Sequence, residues 1–297
     1  MKLKIAERRQ AKIKMALQGP SGSGKTMGAL FIAYGLCKNW NKIVVIDSEN
    51  FSASLYAHLG KYSVLNISAP FTPEKYMEAI SFCTESGAEV IIIDSISHEW
   101  EGAGGILDIH SGMTGNSFTN WGRLTPRHNA FVQAILQCPV HIIATTRTKQ
   151  EYVLSEKNGK QVPEKVGLKS VTREGMDYEF TLVLDLDIKH NAISSKDRTC
   201  LFMDKPEFRI TPDTGEEILL WCKQGIYKSP EEILAEQIDA CTTYDDLKAL
   251  YISKPSFQAC YIHLFTKRKK ELQKQDTRMA STNSLTSKFN ANGNENK

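Results

Sequence analysis

The chain has 297 residues, of which 41% are hydrophobic and 24% charged. This composition is ordinary for a globular protein, and the length permits one large domain or two smaller ones. The charged amino-terminal residues argue against a signal peptide, and the absence of an apolar run near ~18 residues argues against a membrane protein. Seven scattered cysteines without a C-x-x-C pair predict a reduced protein of the cytoplasm and argue against a zinc site.

The net charge of +3 is unevenly distributed. Residues 147–173 hold seven Lys/Arg and three Glu, and residues 267–278 hold six Lys/Arg and two acids. The rest of the chain is therefore net acidic. Two basic segments on an acidic body favour a polyanionic partner, although two solvated surface segments would give the same pattern.

Apolar runs alternate with amphipathic stretches, which is typical of an α/β fold with a mainly parallel sheet. The pair Thr72–Pro73 predicts the start of a helix, and Thr125–Pro126 repeats the signal. The predicted strands are 12–18, 42–47, 62–68, 89–94, 140–146, 178–188 and 199–204, and the last two would form a hairpin. The predicted helices of this part are 26–39, 72–87 and 125–137.

The pattern changes near residue 228, beyond which helices follow one another without strands. We therefore predict a core domain over 1–225 and a small helical appendage over 226–275. Residues 276–297 are polar and low in complexity, which predicts a disordered tail.

The segment GPSGSGKT, residues 19–26, matches the phosphate-binding pattern G-x-x-x-x-G-K-[ST]. Small residues let backbone N–H groups surround a phosphate, the lysine reaches the β- and γ-oxygens, and the threonine hydroxyl ligates Mg²⁺. A strand precedes the segment and a helix follows it, which is the context this chemistry requires. The predicted nucleotide contacts are Gly19, Pro20, Ser21, Gly22, Ser23, Gly24, Lys25, Thr26 and Met27.

A nucleotide hydrolase needs one acid for the metal and usually another to activate water. Two apolar strands end in Asp-Ser, at Asp47 and Asp94, and each has a glutamate nearby, Glu49 and Glu99. The immediate sequence does not show which aspartate holds the metal or which glutamate is the base.

The order of phosphate loop, IDSEN, IIIDS, glycine-rich segment, IIATT and basic segment resembles the RecA-type ATPase core over roughly residues 10–222. DSISHEWEG and YEF…KDRT more closely resemble the shortened RecA-core ATPases of phages and prophages, some of which act with single-strand annealing systems. The resemblance implies a RecA-like P-loop NTPase core with a mainly parallel central sheet. It also implies that Asp94 is associated with the metal and that Glu49 activates water. Glu99 stays the alternative base, but Ser95 directly follows Asp94, where many other P-loop ATPases carry that glutamate.

The resemblance implies further roles. Thr145 and Thr146 end the strand where RecA-type proteins carry a polar γ-phosphate sensor, which implies that role for Thr146, and a strand-end cap is the alternative. Phe71 or Tyr76 is a candidate for stacking on adenine. Lys196 and Arg198 correspond to cations that reach the γ-phosphate held by a neighbouring subunit.

Two segments occupy the places of the DNA-contacting loops of RecA-type proteins. Residues 99–123 contain six glycines and predict a mobile loop, and residues 147–175 predict a basic loop. Trp100, Trp121 and Tyr152 are candidate stacking surfaces for bases. The two tryptophans could instead anchor the first loop to the body.

The expected function is a Mg²⁺-dependent ATPase that forms a homo-oligomeric ring or filament. It would act on single-stranded DNA in phage recombination or replication, in the bacterial host cytoplasm, and its ligands would be ATP and Mg²⁺. The main alternative is an ATP-driven partner-remodelling or packaging accessory protein that binds no DNA. A small-molecule P-loop kinase is a third reading, disfavoured because no arginine-rich lid follows the core.

Overall fold

The computed structural model describes residue 5 and residues 7–157, 160–254 and 261–274, and the side chains of 150–168 and 230 are outside this description. The chain divides into two compact units, residues 11–224 and residues 1–10 together with 225–297. The predicted boundaries at 225 and 275 stay predictions. The predicted disordered tail, 276–297, lies outside the described residues.

The larger unit is built on a central sheet that has nine strands in the described part of the chain. The strand order is β3-β2-β4-β5-β1-β7-β8-β9, with β6 paired to the outer part of β5. The pairs from β3 to β7 along this order are parallel, whereas β7–β8, β8–β9 and β5–β6 are antiparallel. The strands are β1 Lys14–Gly19, β2 Ile43–Asp47, β3 Ser63–Asn66, β4 Val90–Asp94, β5 His141–Lys157, β6 Lys160–Ser170, β7 Leu182–Leu186, β8 Asn191–Asp197 and β9 Phe208–Arg209.

Helices cover both faces of this sheet, and each face has its own buried apolar cluster. The helices of the larger unit are α1 Lys25–Cys37, α2 Pro73–Glu85, α3 Ser97–Glu101, α4 Ile106–Gly112, α5 Ser117–Gln137, α6 Met176–Glu179 and α7 Pro212–Lys223, with 3₁₀ turns at Trp40–Lys42 and Ser52–Leu59. The mixed α/β fold with a mainly parallel central sheet is therefore confirmed.

Helices α1 and α7 pack with their backbones in contact. A Cβ atom added to Gly35 on α1 would lie 2.1 Å from the carbonyl oxygen of Pro212. A Cβ atom added to Gly215 on α7 would lie 2.2 Å from the carbonyl oxygen of Ile32. Real Cβ atoms essentially never approach so closely, so both positions require glycine.

The helix start at Thr72–Pro73 is confirmed, because the Thr72 hydroxyl accepts a hydrogen bond from the Lys75 amide at 3.3 Å. The start predicted at Thr125–Pro126 is wrong. Helix α5 begins at Ser117, where the Asn116 side chain accepts from the Phe118 amide at 2.8 Å, and Pro126 lies inside the helix. The helix continues through the proline because its apolar side is buried on both sides of it, at Leu124 and Phe131 among others.

The predicted mobile loop at 99–123 is also wrong, because most of it lies in α3, α4 and the first turns of α5. Aromatic rings join these three helices. Trp100 stacks on Trp121 with ring centroids 5.9 Å apart, and His110 stacks on Trp121 at 4.3 Å. The tryptophans thus hold this region together, as the anchoring alternative expected.

The basic segment predicted as a loop at 147–175 is mostly a β-hairpin. Strand β5 continues beyond the parallel sheet to Lys157 and pairs with β6. Tyr152, a candidate stacking residue, falls among the side chains outside the description.

The predicted hairpin of 178–188 with 199–204 is wrong in both strands. Residues Met176–Glu179 form the short helix α6, so the strand is only Leu182–Leu186, and its partner is Asn191–Asp197. A four-residue turn connects them, in which the Asp187 carboxylate accepts from the amides of Lys189 and Asn191, both at 2.8 Å.

The smaller unit contains α8 Pro230–Ala240, α9 Tyr244–Ser253 and a helical segment at 261–274. Its buried cluster includes Leu234, Leu247 and Phe265. Within the described residues, no helix is long and apolar enough to cross a membrane.

Candidate nucleotide-binding site

A cavity of about 920 Å³ opens at the carboxyl ends of the parallel strands. It is lined by the loop after β1, the first turns of α1, the segment after β2, the ends of β4 and β7, the middle of β5, and the segment around β9. Pockets of about 300–1,000 Å³ are typical for small-molecule ligands. The cavity is therefore large enough for a nucleotide.

The loop before α1 turns sharply, and Gly24 has a φ of +87°, a left-handed conformation that favours glycine. The Lys25 ammonium donates to the carbonyl oxygens of Gly19 at 2.9 Å and Pro20 at 2.8 Å. Burial lowers the pKa of Lys25, even though Asp94 and Glu49 lie close enough to raise it. The predicted contact residues from Ser21 to Met27 line the cavity, whereas Gly19 and Pro20 supply carbonyl groups beneath it.

The Ser23 hydroxyl is buried in this loop and has no hydrogen-bond partner among the described residues. Unpaired buried polar groups are costly, so their presence at a cavity points to a ligand. An orphaned hydroxyl, a buried lysine and the positive end of α1 together fit an anionic phosphate group.

Asp94 at the end of β4 lies against the first turn of α1. Its carboxylate accepts from the Thr26 hydroxyl at 2.6 Å and from the Thr145 hydroxyl at 2.5 Å. Burial raises the pKa of Asp94, although both hydroxyl donors act in the opposite direction. A hydroxyl and a carboxylate in contact fit Mg²⁺, which takes few protein ligands and completes its shell with phosphates and water.

Asp47 has a different surrounding. Its carboxylate accepts from the amides of Glu49 at 2.6 Å and Ala53 at 2.9 Å, and it is fully buried away from the cavity. Asp47 therefore shapes the turn after β2, and the structure separates the two aspartates that the sequence left equivalent.

Glu49 lies in this turn, and its side chain faces the cavity. Its carboxylate accepts from the Ser95 hydroxyl at 2.8 Å and from the Arg147 Nε at 2.9 Å, and a second guanidinium nitrogen of Arg147 also contacts it. Burial alone would raise the pKa of Glu49, but the hydrogen bonds from Arg147 and Ser95 outweigh it and lower the pKa. Glu49 is therefore an ionised carboxylate at neutral pH.

A family model described as an AAA domain matches residues 11–212, which is most of the larger unit. This chain belongs to the AAA-domain family. Membership indicates a P-loop ATPase and implies ATP binding. No curated protein matches the chain.

The rival base of this AAA-domain protein, Glu99, points away from the cavity. Both of its carboxylate oxygens lie 3.1 Å from His128 Nδ1, and the two side chains are almost fully buried. Burial raises the pKa of Glu99 despite the neighbouring histidine. The pair lies beside Trp100, so its surroundings are those of a core contact between α3 and α5.

Other residues of the AAA-domain protein that the sequence suggested as nucleotide contacts also lie outside the cavity lining. The Thr146 hydroxyl is buried without a partner among the described residues, and the residue does not line the cavity. Side chains alternate along a strand, so Thr145 and Arg147 face the acids and Thr146 faces away. Tyr76 is buried against Phe131, and Phe71 stacks on His98, so neither aromatic ring reaches the cavity.

Lys196 and Arg198 lie at the opposite end of the sheet from the phosphate loop. Asp197 between them pairs with Leu182, the first residue of β7, whereas the loop meets the last residues of that strand. Both cations donate to the backbone carbonyl of Tyr178, Arg198 at 3.3 Å. They are absent from the cavity lining of their own chain, and their action on a neighbouring subunit stays a prediction.

Several cavity residues of the AAA-domain protein were missed by sequence reasoning. Arg147 was visible only as one of many basic residues, although its position two residues after Thr145 on one strand face would have placed it here. Thr148 lines the cavity with a buried hydroxyl that has no partner among the described residues. His190 and Arg209 reach the cavity from a turn and a two-residue strand, and no local pattern marks them.

Proposed function

We propose that this AAA-domain protein is a Mg²⁺-dependent ATPase with a RecA-like core that acts on single-stranded DNA. The observation that carries the proposal is the convergence of Lys25, the Thr26–Asp94 pair and Glu49 on one cavity. Phosphoryl transfer is catalysed mainly by positioning and electrostatic stabilisation, and these groups supply the required charges.

Each group has a distinct role in the proposal. Lys25 balances negative charge on the β- and γ-phosphates, and Thr26 with Asp94 would hold Mg²⁺. The ion would neutralise charge on the phosphate oxygens. Glu49 is the ionised acceptor that takes a proton from the attacking water, because it alone of the two candidate glutamates faces the cavity.

The β5–β6 hairpin supports a polyanionic partner. Strand β5 runs from the site into the hairpin without interruption, and Arg147 and Lys149 on it line the cavity. The remaining lysines of the hairpin follow at Lys157, Lys160, Lys165 and Lys169. A basic element that begins at the catalytic residues offers a direct connection between DNA binding and hydrolysis, and we infer that the protein works as a homo-oligomer in phage recombination or replication.

The test measures ATP turnover through the release of phosphate. It is carried out with and without single-stranded DNA, and with and without Mg²⁺. The proposal expects ADP and phosphate as products, dependence on Mg²⁺, and faster turnover with DNA. Lys25→Ala is the matched inactive control. Turnover that DNA does not change would remove the DNA part of the proposal and leave the ATPase part in place.

A partner-remodelling ATPase without DNA binding is the second candidate. It is favoured by the antiparallel pairing of β5 with β6, because an extended two-stranded element can dock on a protein surface as well as on a nucleic acid. Turnover that is insensitive to DNA would select this candidate.

A further inference from the structure

The turn between β7 and β8 presents one side chain to the phosphate loop. Asp187 fixes this turn, because its carboxylate accepts the amides of Lys189 and Asn191 and its carbonyl oxygen accepts the His190 amide at 3.1 Å. His190 has a φ of +68°, which is uncommon for a residue other than glycine. The turn is thus held in a conformation that carries the imidazole over the cavity.

The imidazole of His190 lies against Gly24, the residue directly before α1. A Cβ atom added to Gly24 would lie 3.2 Å from His190 Nδ1. The ring therefore lies at the positive end of a 13-residue helix. The helix dipole stabilises an anion at this end and does not stabilise a cation.

Arg209 is brought beside His190 by strand pairing. The register of β8 with β9 places Arg209 opposite Asn191, the next residue after His190. Both side chains are exposed and line the cavity, and within the described residues neither makes a side-chain hydrogen bond or an ion pair. Glu207, which directly precedes this strand, uses its carboxylate to accept a hydrogen bond from the Asn191 side chain at 3.3 Å.

The sheet order places these two residues on the other side of the phosphate loop from the acids. Strand β7 flanks β1 on one side, and β5 with β4 flank it on the other. Asp94, Glu49 and Arg147 therefore lie on one side of the phosphate loop, and His190 and Arg209 lie on the other, near Gly24 and Gly28. In the proposed function the acids and Arg147 act at the terminal phosphate, which leaves the inner phosphates to the other side. Ile210, next to Arg209, would lie 3.2 Å from a Cβ atom on Gly28.

We propose that His190 and Arg209 bind the α- and β-phosphates of the nucleotide held by their own chain. The inference rests on the proposed function and extends it, because it assigns two phosphate ligands outside the phosphate loop. Both contacts are made to groups that ADP and ATP share. They strengthen nucleotide binding without distinguishing the diphosphate from the triphosphate.

The test compares the affinities of ADP, a non-hydrolysable ATP analogue and inorganic tripolyphosphate by titration calorimetry. His190→Asn keeps a residue that tolerates the left-handed backbone, and Arg209→Gln removes the charge while keeping a polar side chain. Each should weaken all three ligands by roughly three- to tenfold, as expected for one partly solvated charge-assisted contact. Lys189→Gln is the matched control, since this exposed cation of the same turn does not line the cavity. It should leave all three affinities unchanged, and the thermal midpoint without ligand should be similar in every variant.

The three ligands distinguish contacts with the inner phosphates from contacts with the base, the ribose or the γ-phosphate. Weaker nucleotide binding with unchanged tripolyphosphate binding would show a base or ribose contact and overturn the inference. Weaker binding of the ATP analogue alone would show a γ-phosphate contact, and unchanged binding of all three would show no contact; both results also overturn it. A wild-type protein that binds none of the three would instead refute the proposed function itself.

Discussion

Glu49→Gln and Glu99→Gln should have opposite effects on activity and stability. Glu49→Gln removes the negative charge of the proposed base and keeps the shape of the side chain. The contacts with Ser95 and Arg147 therefore persist in weaker form. A positioned general base contributes about 10²–10⁴ in rate. We therefore expect turnover to fall by that factor, while ATP binding is retained.

The stability effects follow from exposure. The Glu49 side chain is 20% exposed and that of Arg147 is 44% exposed, so the pair is partly solvated and contributes less than about 1 kcal/mol. Glu99 and His128 are only 2% and 5% exposed. Weakening a hydrogen bond at this depth costs about 1–3 kcal/mol. Glu99→Gln should therefore lower the free energy of unfolding by that amount and leave turnover nearly intact.

The assay pairs steady-state phosphate release with urea denaturation for both variants and the wild type. Circular dichroism before each run shows whether the fold is preserved. The reasoning is refuted if Glu99→Gln stops turnover in a folded protein while Glu49→Gln remains active. Equal loss of activity in both variants would show that the buried pair and the cavity act together.

Four further changes test other parts of the site. Arg147→Met removes hydrogen bonds that lower the pKa of Glu49, so that pKa rises and the acid limb of the pH–rate profile should move to higher pH; an unmoved limb would contradict the assigned base. Lys25→Ala should abolish hydrolysis and weaken nucleotide binding, and wild-type turnover in this variant would remove the phosphate-loop assignment. Replacing the hairpin lysines with glutamine should weaken single-stranded DNA binding and flatten its dependence on salt, because fewer counterions are released; the set is Lys157, Lys160, Lys165 and Lys169. Arg198→Ala and Glu49→Gln should each be nearly inactive alone and regain part of the activity when co-assembled, and no recovery would exclude action of Arg198 on a neighbouring subunit.

The sheet could be predicted because its strands carry their own signal. Runs such as 43–47 and 90–94 are continuously apolar, and strands buried on both faces have this pattern. The phosphate loop was equally clear, since its chemistry tolerates few residue types. The strands and the phosphate loop could be predicted because the residues that determine them are adjacent in the sequence.

The regions that failed depend on distant contacts. Residues 99–123 contain six glycines, which led to the prediction of a loop. The helices of this region are joined by the stacking of Trp100 on Trp121, and the spacing of these residues along the chain does not reveal that contact. The strand partner of β7 was missed because β8 is mostly polar and only two of its seven residues are buried. Pairing on an edge is determined by the neighbouring strand and the turn, and a weakly apolar strand has little signal of its own.

The acids of the site show the same limit. Asp47 and Asp94 end neighbouring parallel strands, and their backbones are directly paired. Only the three-dimensional position of α1 decides that Thr26 meets Asp94. The sequence therefore identified both aspartates as candidates. The position of α1, which connects β1 to β2, distinguishes their roles.

The contact between α1 and α7 limits how the site can change during turnover. Glycines at 35 and 215 bring the two helix backbones together, so neither helix can slide or rotate without the other. The phosphate loop is continuous with α1, and Arg209 lies three residues before α7 begins. We therefore expect the two walls of this end of the cavity to move together. An opening that releases product is then expected on the other wall, which Glu49, Arg147 and the base of the hairpin form.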